Sequence, residues 1–135
     1  MTHHLRGIRA PGLPEPISHF TDAVLAGRTL YISGLVSVDE QGRVVGKGDV
    51  VAQARQVFRH LRSVLEAAGA APGDVTKVTV FMRDAGQRPD INPLRQEFFG
   101  DHRPASTLVE ISRLVDDDLL LEIEAVAVLP DQPGS

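Results

Sequence analysis

The longest regular pattern in the chain is an apolar stripe between residues 49 and 69. Its members are separated mainly by three or four positions: Val50, Ala54, Val57, Phe58, Leu61, Leu65 and Ala68. This spacing places them on one face of an α-helix. Asp49 can cap the start because its carboxylate accepts hydrogen bonds from free backbone N–H groups, and Gly69 can end the helix. The pattern predicts an amphipathic helix that packs through one face.

Shorter segments on both sides of this helix predict strands. Residues 5–10 form a candidate first strand, which ends at three prolines within residues 11–16. Two short strands then surround the turn at Gly27. Gly34 lies in the second of these strands, where a glycine often marks a bulge or a close approach by a ligand. After the helix, residues 76–82 are rich in β-branched side chains and predict a further strand.

The last third of the chain completes the domain. A shorter helix is predicted at about Asp90 to Phe99, with Pro93 in its first turn, where proline is tolerated. Two strands follow, at Thr107 to Ser112 and at Leu119 to Leu129. The order ββ(β)-α-β-α-ββ predicts an α+β domain with both helices on one face of the sheet.

The last strand indicates that this sheet has a second, partly apolar face. The residues suited to packing under the helices are Leu119, Leu121, Ile123, Ala125 and Ala127. The opposite face carries Leu120, Glu122, Glu124, Val126 and Val128. No third helix is predicted to cover this face, so a monomer would expose it to water. We therefore expect an oligomer.

Length and composition indicate a single domain over residues 1–135, with a disordered Pro- and Gly-rich tail at about 130–135. The chain has no cysteine, which excludes disulfides, thiolate zinc sites and a cysteine nucleophile. It has no apolar run of signal-peptide length and none near the ~20 residues of a membrane span. We expect a cytoplasmic protein without a membrane partner.

Charge and aromatic content argue against a nucleic-acid partner. The net charge is -4, and the chain has five Phe, one Tyr and no Trp, whereas nucleic-acid binders usually present a basic face and stacking platforms. Arg55, Arg59 and Arg62 share one helix face, which we interpret as a solvated surface. The histidines show no metal-ligand spacing, so no metal is predicted: His3, His4, His19, His60 and His102.

Five segments resemble the reactive-intermediate deaminase (Rid) family, also called YjgF-like or liver perchloric-acid-soluble-protein-like. In order they are "SGLVSVDEQGRVV", "VVAQARQVFRHLRSVLEAAGAAPGDVTKVTVFM", "INPLRQEFF", "RPASTLVEISRL" and "LEIEAVAV". The resemblance runs from about His19 to Leu129. It implies a chorismate-mutase-like (bacillary type) mixed sheet with two helices on one face. It also implies a homotrimer with a central barrel, and three small-molecule pockets in the clefts between subunits.

The resemblance also implies an activity and a set of site residues. The family hydrolyses reactive enamines and imines, such as 2-aminoacrylate, to a keto acid and ammonia without a metal or organic cofactor. The positions that correspond to its pocket are Ser33 and Gly34, Asn92 of the short helix, and the carboxylate of Glu122. Phe20 stands where the family usually has a tyrosine, so the phenol hydroxyl is absent.

The segment "PASTLVE" differs from the deaminating members of the family. They carry an arginine that binds the substrate carboxylate where this chain has Ser106, and a cysteine-like residue where it has Leu108. A hydroxyl does not replace a charge-assisted contact that contributes about 1.5–3 kcal/mol. Ser106 and Thr107 either contact a ligand oxygen or bond their own loop backbone. Arg103 either supplies the missing cation or remains a solvated loop residue.

These observations favour a homotrimer that binds a small polar metabolite and hydrolyses an enamine or imine, with Glu122 positioning the water. Without the arginine, a neutral or larger ligand fits better than a simple 2-iminocarboxylate. Two alternatives stay open. One is a non-catalytic ligand-binding or chaperone-like trimer, in which Glu122 and Glu124 are rim charges. The other is an RNA-cleaving translation inhibitor, against which the negative charge weighs. The sequence alone leaves open whether the protein is an enzyme.

Overall fold

The computed structural model describes residues 4–131, which form one six-stranded sheet and two α-helices. Short 3-10 turns lie at Pro72–Asp74 and Ala85–Gln87. In chain order the elements are β1 (Leu5–Ile8), β2 (Ala23–Ala26), β3 (Thr29–Leu35), α1 (Val50–Ala67), β4 (Val75–Met82), α2 (Arg88–Phe99), β5 (Ala105–Glu110) and β6 (Leu121–Val128).

The sheet is mixed, with the strand order β1-β2-β3-β6-β4-β5. Strands β4 and β5 are parallel, and every other neighbouring pair is antiparallel. The parallel pair needs a crossover connection, which α2 supplies. Helix α1 packs on β3 and β6 and against α2. The predicted α+β fold with its mixed sheet is therefore confirmed.

The core lies between α1 and the sheet, as the two patterns predict. All seven residues of the apolar stripe are buried, and the Asp49 side chain accepts a hydrogen bond from Ala52 N at 3.0 Å. Gly69 follows the helix with a positive φ of 81°, a conformation that suits glycine. The buried β6 residues under the helices are Leu121, Ile123, Ala125 and Ala127.

The opposite face of the sheet is open in the single chain. Glu122 and Val126 of β6 are partly buried there, whereas Glu124 and Val128 are exposed. We call this surface the open face. It continues across neighbouring strands, where Tyr31 of β3 is 53% exposed. The half-apolar face predicted from the alternation of β6 is thus present, and its apolar side chains meet water.

Some element boundaries differ from the prediction. Helix α2 begins at Arg88 because the turn at Ala85–Gln87 leads directly into it, so Pro93 lies in its second turn and not in its first. Pro93 has no N–H to donate to the carbonyl of Pro89 four residues earlier, and both prolines are exposed, so water can bond that carbonyl. Strand β5 begins earlier than predicted because Ala105 pairs with Lys77 of β4.

Two predictions fall at the ends of the chain. His3 and residues 132–135 of the predicted disordered tail lie outside the described residues. At the start of that tail, Asp131 forms an ion pair with Arg28 at 2.7 Å. Neither α-helix of the described chain combines the length and the apolar character that crossing a bilayer requires.

A buried glutamine joins α1 to the start of β6. Gln53 is fully buried, and its Nε2 donates to the carbonyl oxygens of Gly46 at 3.0 Å and Asp118 at 2.9 Å. Its Oε1 accepts from the backbone N–H of Leu120 at 2.8 Å. Three backbone groups from two distant loops therefore depend on one amide side chain.

We expect Gln53→Leu to lower the free energy of unfolding by about 1–3 kcal/mol, because it leaves three partly buried backbone groups without this partner. Urea denaturation followed by circular dichroism measures this loss. Gln96→Leu is the matched control, since Gln96 is exposed on α2 and makes no side-chain hydrogen bond within residues 4–131. Equal stability of the two variants would contradict the structural role of Gln53.

Candidate functional site

A cleft of about 640 Å³ lies between residues 13–20, the end of β3 and the turn before β6. It brings together four of the residues predicted for the site: Phe20, Ser33, Gly34 and Glu122. We call these four residues the cleft group. They come from three separate stretches of the chain.

The cleft group forms around a bulge in β3. Ile32 pairs with Ala125 of β6, and Leu35 pairs with Ile123. Between these two pairs β3 therefore advances by three residues and β6 by two. The extra length falls at Ser33 and Gly34 and forms a β-bulge. The bulge predicted from Gly34 is therefore confirmed.

Glycine is needed at position 34 because the Glu122 side chain occupies the space beside it. A Cβ atom built on Gly34 would lie 2.7 Å from Glu122 Cδ and 3.1 Å from Glu122 Cγ. Any larger residue would displace the carboxylate. The close approach anticipated at Gly34 is thus made by Glu122 of the same chain.

Hydrogen bonds fasten the other wall of the cleft. Ser33 Oγ donates to the carbonyl of Thr21 at 2.6 Å, which leaves the serine oxygen free to accept. The backbone N–H of Ser33 donates to the carbonyl of Asp22 at 3.0 Å. The Asp22 carboxylate is buried and accepts from Ala10 N at 2.9 Å and Arg9 Nε at 3.0 Å. This network fixes the segment that carries Phe20.

Glu122 has the environment of a base. It is partly buried, and none of residues 4–131 donates a hydrogen bond to its carboxylate or forms an ion pair with it. Burial raises its pKa, and the negative charge of Glu124 on the same strand face raises it further. A carboxylate with a raised pKa binds a proton more strongly, as a general base requires.

The other four predicted residues lie elsewhere, and we call them the lip group: Asn92, Ser106, Thr107 and Leu108. Asn92 is exposed on α2, and Leu108 packs against the core. Ser106 pairs with the buried Val78 and so lies on the helix side of the sheet, whereas Glu122 lies on the open face. Strand β4 separates β5 from β6, which places the two strands about 10 Å apart.

Both hydroxyls of the lip group accept a hydrogen bond from a cation. Arg95 Nη2 donates to Ser106 Oγ at 2.8 Å, and Lys77 Nζ donates to Thr107 Oγ1 at 2.7 Å. Within residues 4–131 neither hydroxyl donates to the backbone of its own loop, and each oxygen is bonded by a cation from another element. Arg103 is exposed and makes no side-chain hydrogen bond or ion pair with the described residues.

Sequence reasoning missed Arg95 and Lys77. Arg95 follows Asn92 by three residues in α2, a spacing that places both on one helix face. That spacing was the available signal. No comparable signal marked Lys77, because its position beside Thr107 depends on the parallel register between β4 and β5.

A second groove, of about 710 Å³, lies between α1 and α2. Arg55, Arg59 and Arg62 line it and are exposed, with the Arg62 guanidinium 5.0 Å from the centre of the Phe98 ring. None of the residues predicted for the site lies in this groove. Within residues 4–131, no cluster of three or more histidine, aspartate or glutamate side chains could hold a metal ion.

Residues 11–129 match a family model described as Endoribonuclease L-PSP. The chain belongs to this family, which includes the YjgF-like and Rid proteins. The identification made from the five sequence segments is confirmed.

The curated relatives include proteins named as deaminases. A RutC family protein of Pyrococcus horikoshii is 41% identical over 114 residues, which cover 84% of this chain and 90% of the relative. The 3-aminoacrylate deaminase RutC of Acinetobacter baylyi is 38% identical and covers 86% and 91% of the two chains. The 2-iminobutanoate/2-iminopropanoate deaminase of Salmonella typhimurium is 36% identical and covers 90% and 95%.

Solved structures of Rid-family proteins share the fold. A protein from Thermotoga maritima described as a putative endoribonuclease superposes with a TM-score of 0.87 at 33% identity, covering 93% of this chain and 98% of its own. The structure of TdcF from E. coli with bound serine superposes with a TM-score of 0.84 at 32% identity, covering 93% and 99%.

The electrostatic coupling on β6 gives a direct prediction. We expect Glu124→Gln to lower the pKa of Glu122, because the substitution removes the neighbouring negative charge but leaves the burial. A pH titration of the Glu122 carboxyl carbon by ¹³C NMR measures the change. Glu97→Gln on α2 is the control and should leave this titration unaltered. An unchanged Glu122 midpoint in Glu124→Gln would show that the two carboxylates do not interact.

Proposed function

We propose that this protein hydrolyses a small enamine or imine at Glu122 and releases a carbonyl compound and ammonia. The observation that carries the proposal is the partly buried Glu122 carboxylate, which faces the cleft beside Gly34 and receives no hydrogen bond from residues 4–131. The deaminase names of its relatives support the same reaction class.

The residues of the cleft group can be assigned to the steps of this reaction. Glu122 takes a proton from water as the water oxygen bonds to the imine carbon. The π electrons of the C=N bond move to nitrogen, which takes up a proton from solvent to give a carbinolamine. Glu122 then returns its proton to the nitrogen, ammonia leaves with the C–N bonding electrons, and the hydroxyl loses its proton to solvent to become the carbonyl. Overall, one water is consumed and one ammonia is released.

Ser33 and Phe20 have supporting roles in this proposal. The Ser33 hydroxyl oxygen can accept a hydrogen bond from the substrate N–H, because its own proton is donated to the Thr21 carbonyl. Phe20 is 51% exposed at the cleft and covers one side of a bound ligand through its ring. It offers no hydroxyl, so it contributes contact area and excludes water.

We further propose that the chain assembles as a homotrimer, in which the lip group of one subunit closes the cleft group of the next. Two observations support this. Within one chain Ser106 and Glu122 lie on opposite faces of the sheet, so they cannot both contact one small ligand. The open face also exposes Tyr31, Val109 and Val128, whose burial against another subunit would stabilise an assembly.

RNA cleavage fits the cleft poorly, although the family model carries the name of an endoribonuclease. The charged side chains that line the cleft include four acids: Glu15, Asp22, Asp116 and Glu122. Arg9 forms ion pairs with Glu15 and Asp22, but a net negative charge remains, and it would repel the phosphate backbone of RNA. A small substrate with a basic nitrogen suits this surface better.

A coupled assay tests the proposed reaction. An amino-acid oxidase generates imines from a panel of amino acids, and the loss of each imine is followed with and without the protein. We expect turnover by the wild type, a loss of about 100-fold or more in Glu122→Gln, as removal of a general base gives, and no loss in Glu97→Gln. Because burial raises the pKa of Glu122, kcat/KM should fall on acidification through a midpoint above that of an ordinary glutamate.

The outcomes of this assay separate the alternatives. If the wild type does not accelerate the loss of any imine, the proposed reaction is contradicted. A ligand-binding trimer then remains as the alternative. Full activity in Glu122→Gln would remove this carboxylate from the mechanism.

Subunit mixing tests the shared site. Glu122→Gln disables the cleft group, and Ser106→Trp fills the lip, so each variant alone should be inactive. Refolding an equal mixture should restore about one quarter of the wild-type rate, because that fraction of sites in a cyclic assembly combines an intact cleft with an intact lip. Native mass spectrometry verifies that mixed trimers form.

A same-group pair provides the control for this mixing experiment. Glu122→Gln and Gly34→Val both damage the cleft group, so every mixed site retains a defect and no activity should return. Recovery in this control, or none in the first mixture despite mixed trimers, would contradict a site shared between subunits.

A further inference from the structure

Arg95 is a partly buried cation without an anionic partner in the described chain. Its guanidinium has five N–H donors, of which one bonds Ser106 Oγ at 2.8 Å. No carboxylate among residues 4–131 forms an ion pair with it. Burial lowers the pKa of Arg95, although an arginine stays protonated at any physiological pH. A cation held partly out of water with unused donors is suited to an anionic ligand.

Other donors lie beside this guanidinium. Ser106 accepts from Arg95, so its own O–H remains free to donate to a ligand. The Asn92 side chain is exposed one turn earlier on the same face of α2, about 5–6 Å away between Cβ atoms. The donors around Arg95 therefore include a guanidinium, a hydroxyl and an amide.

The cleft around Glu122 carries the opposite charge. Of its four acids, Arg9 forms ion pairs with Glu15 and Asp22, whereas Asp116 and Glu122 form none within residues 4–131, so the net negative charge would repel a substrate carboxylate. A substrate that carries both an imine nitrogen and a carboxylate would therefore turn its nitrogen to the cleft group and its carboxylate to a cation outside it. Arg95 and Lys77 are the partly buried cations that bond the lip group, and of these two Arg95 has the planar guanidinium that matches a carboxylate.

We propose that Arg95, oriented by Ser106, binds the carboxylate of the substrate and selects small imino- or enamino-carboxylates. This inference rests on the proposed function, because it assigns a substrate class to the same site. The planar guanidinium can bind a carboxylate through two parallel N–H···O bonds. A carboxylate ligand at Arg95 replaces the neutral or larger ligand that was expected when position 106 offered only a hydroxyl.

Equilibrium binding tests the proposal without any need for turnover. The probes are 2-oxobutanoate, which carries the carboxylate of a hydrolysis product, and its methyl ester, which has the same carbon skeleton without the charge. Isothermal titration calorimetry gives their affinities for the wild type, Arg95→Met, Arg95→Lys and Ser106→Ala. Arg88→Met on the same helix is the control, since Arg88 is exposed and makes no side-chain hydrogen bond or ion pair within the described residues.

We expect Arg95→Met to weaken 2-oxobutanoate binding by about 10- to 100-fold, the range expected for losing a hydrogen-bonded charge. The methyl ester should bind Arg95→Met and the wild type equally. Arg95→Lys should retain part of the affinity, because lysine keeps the positive charge but cannot bind the carboxylate in a bidentate manner. Ser106→Ala should weaken 2-oxobutanoate by about 3- to 10-fold through a less well oriented guanidinium.

Three results would overturn the proposal. They are a wild type that does not prefer 2-oxobutanoate over its ester, an Arg95→Met variant that keeps this preference, and an equal loss for both probes. If Arg95→Met does not fold, as judged by thermal unfolding, Arg95→Lys and Ser106→Ala decide the question by the same ratio of affinities. A wild type that binds 2-oxobutanoate through Arg95 but hydrolyses no imine would preserve this inference and refute the proposed function.

Discussion

The buried amide of Gln53 is the constraint on which the geometry of the site depends. It bonds the carbonyls of Gly46 and Asp118 and the N–H of Leu120, so one side chain of α1 fixes where the loop before the helix and the turn before β6 lie. These hydrogen bonds are partly buried, so leaving their backbone groups unpaired would be costly. These bonds fix the position of the start of β6 along the axis of α1.

The position of Glu122 follows from this anchor. Two residues after Leu120, its side chain points to the open face and meets β3 at the bulge. The bulge turns Gly34 toward the carboxylate, and the absence of a Cβ atom leaves room for it. The carboxylate is partly buried there, none of the described residues donates a hydrogen bond to it, and burial and Glu124 together raise its pKa. The basicity of Glu122 is thus set by backbone geometry in two strands as well as by its own environment.

The sequence predicts the features that rest on local periodicity. The stripe on α1, the alternation along β6 and the bulge at Gly34 are all confirmed, because each depends on residues near one another in the chain. The anchor at Gln53 was not predicted, since it joins residues 67 positions apart. The start of α2 was also missed, because the turn before it continues into the helix and carries Pro93 past the first turn.

The same distinction applies to the charges at the lip. Read along the chain, Ser106 and Thr107 are neutral residues where a binding site needs charge. In the folded chain each hydroxyl holds a cation supplied by another element, Arg95 from α2 and Lys77 from β4. Acids line the cleft around Glu122, and Arg95 is the cation that bonds Ser106, but in one chain Ser106 and Glu122 lie on opposite faces of the sheet. A substrate that presents a nitrogen at one end and a carboxylate at the other would need both surfaces at once. If the cation and the base act on one molecule, they come from different subunits, and catalysis then depends on assembly.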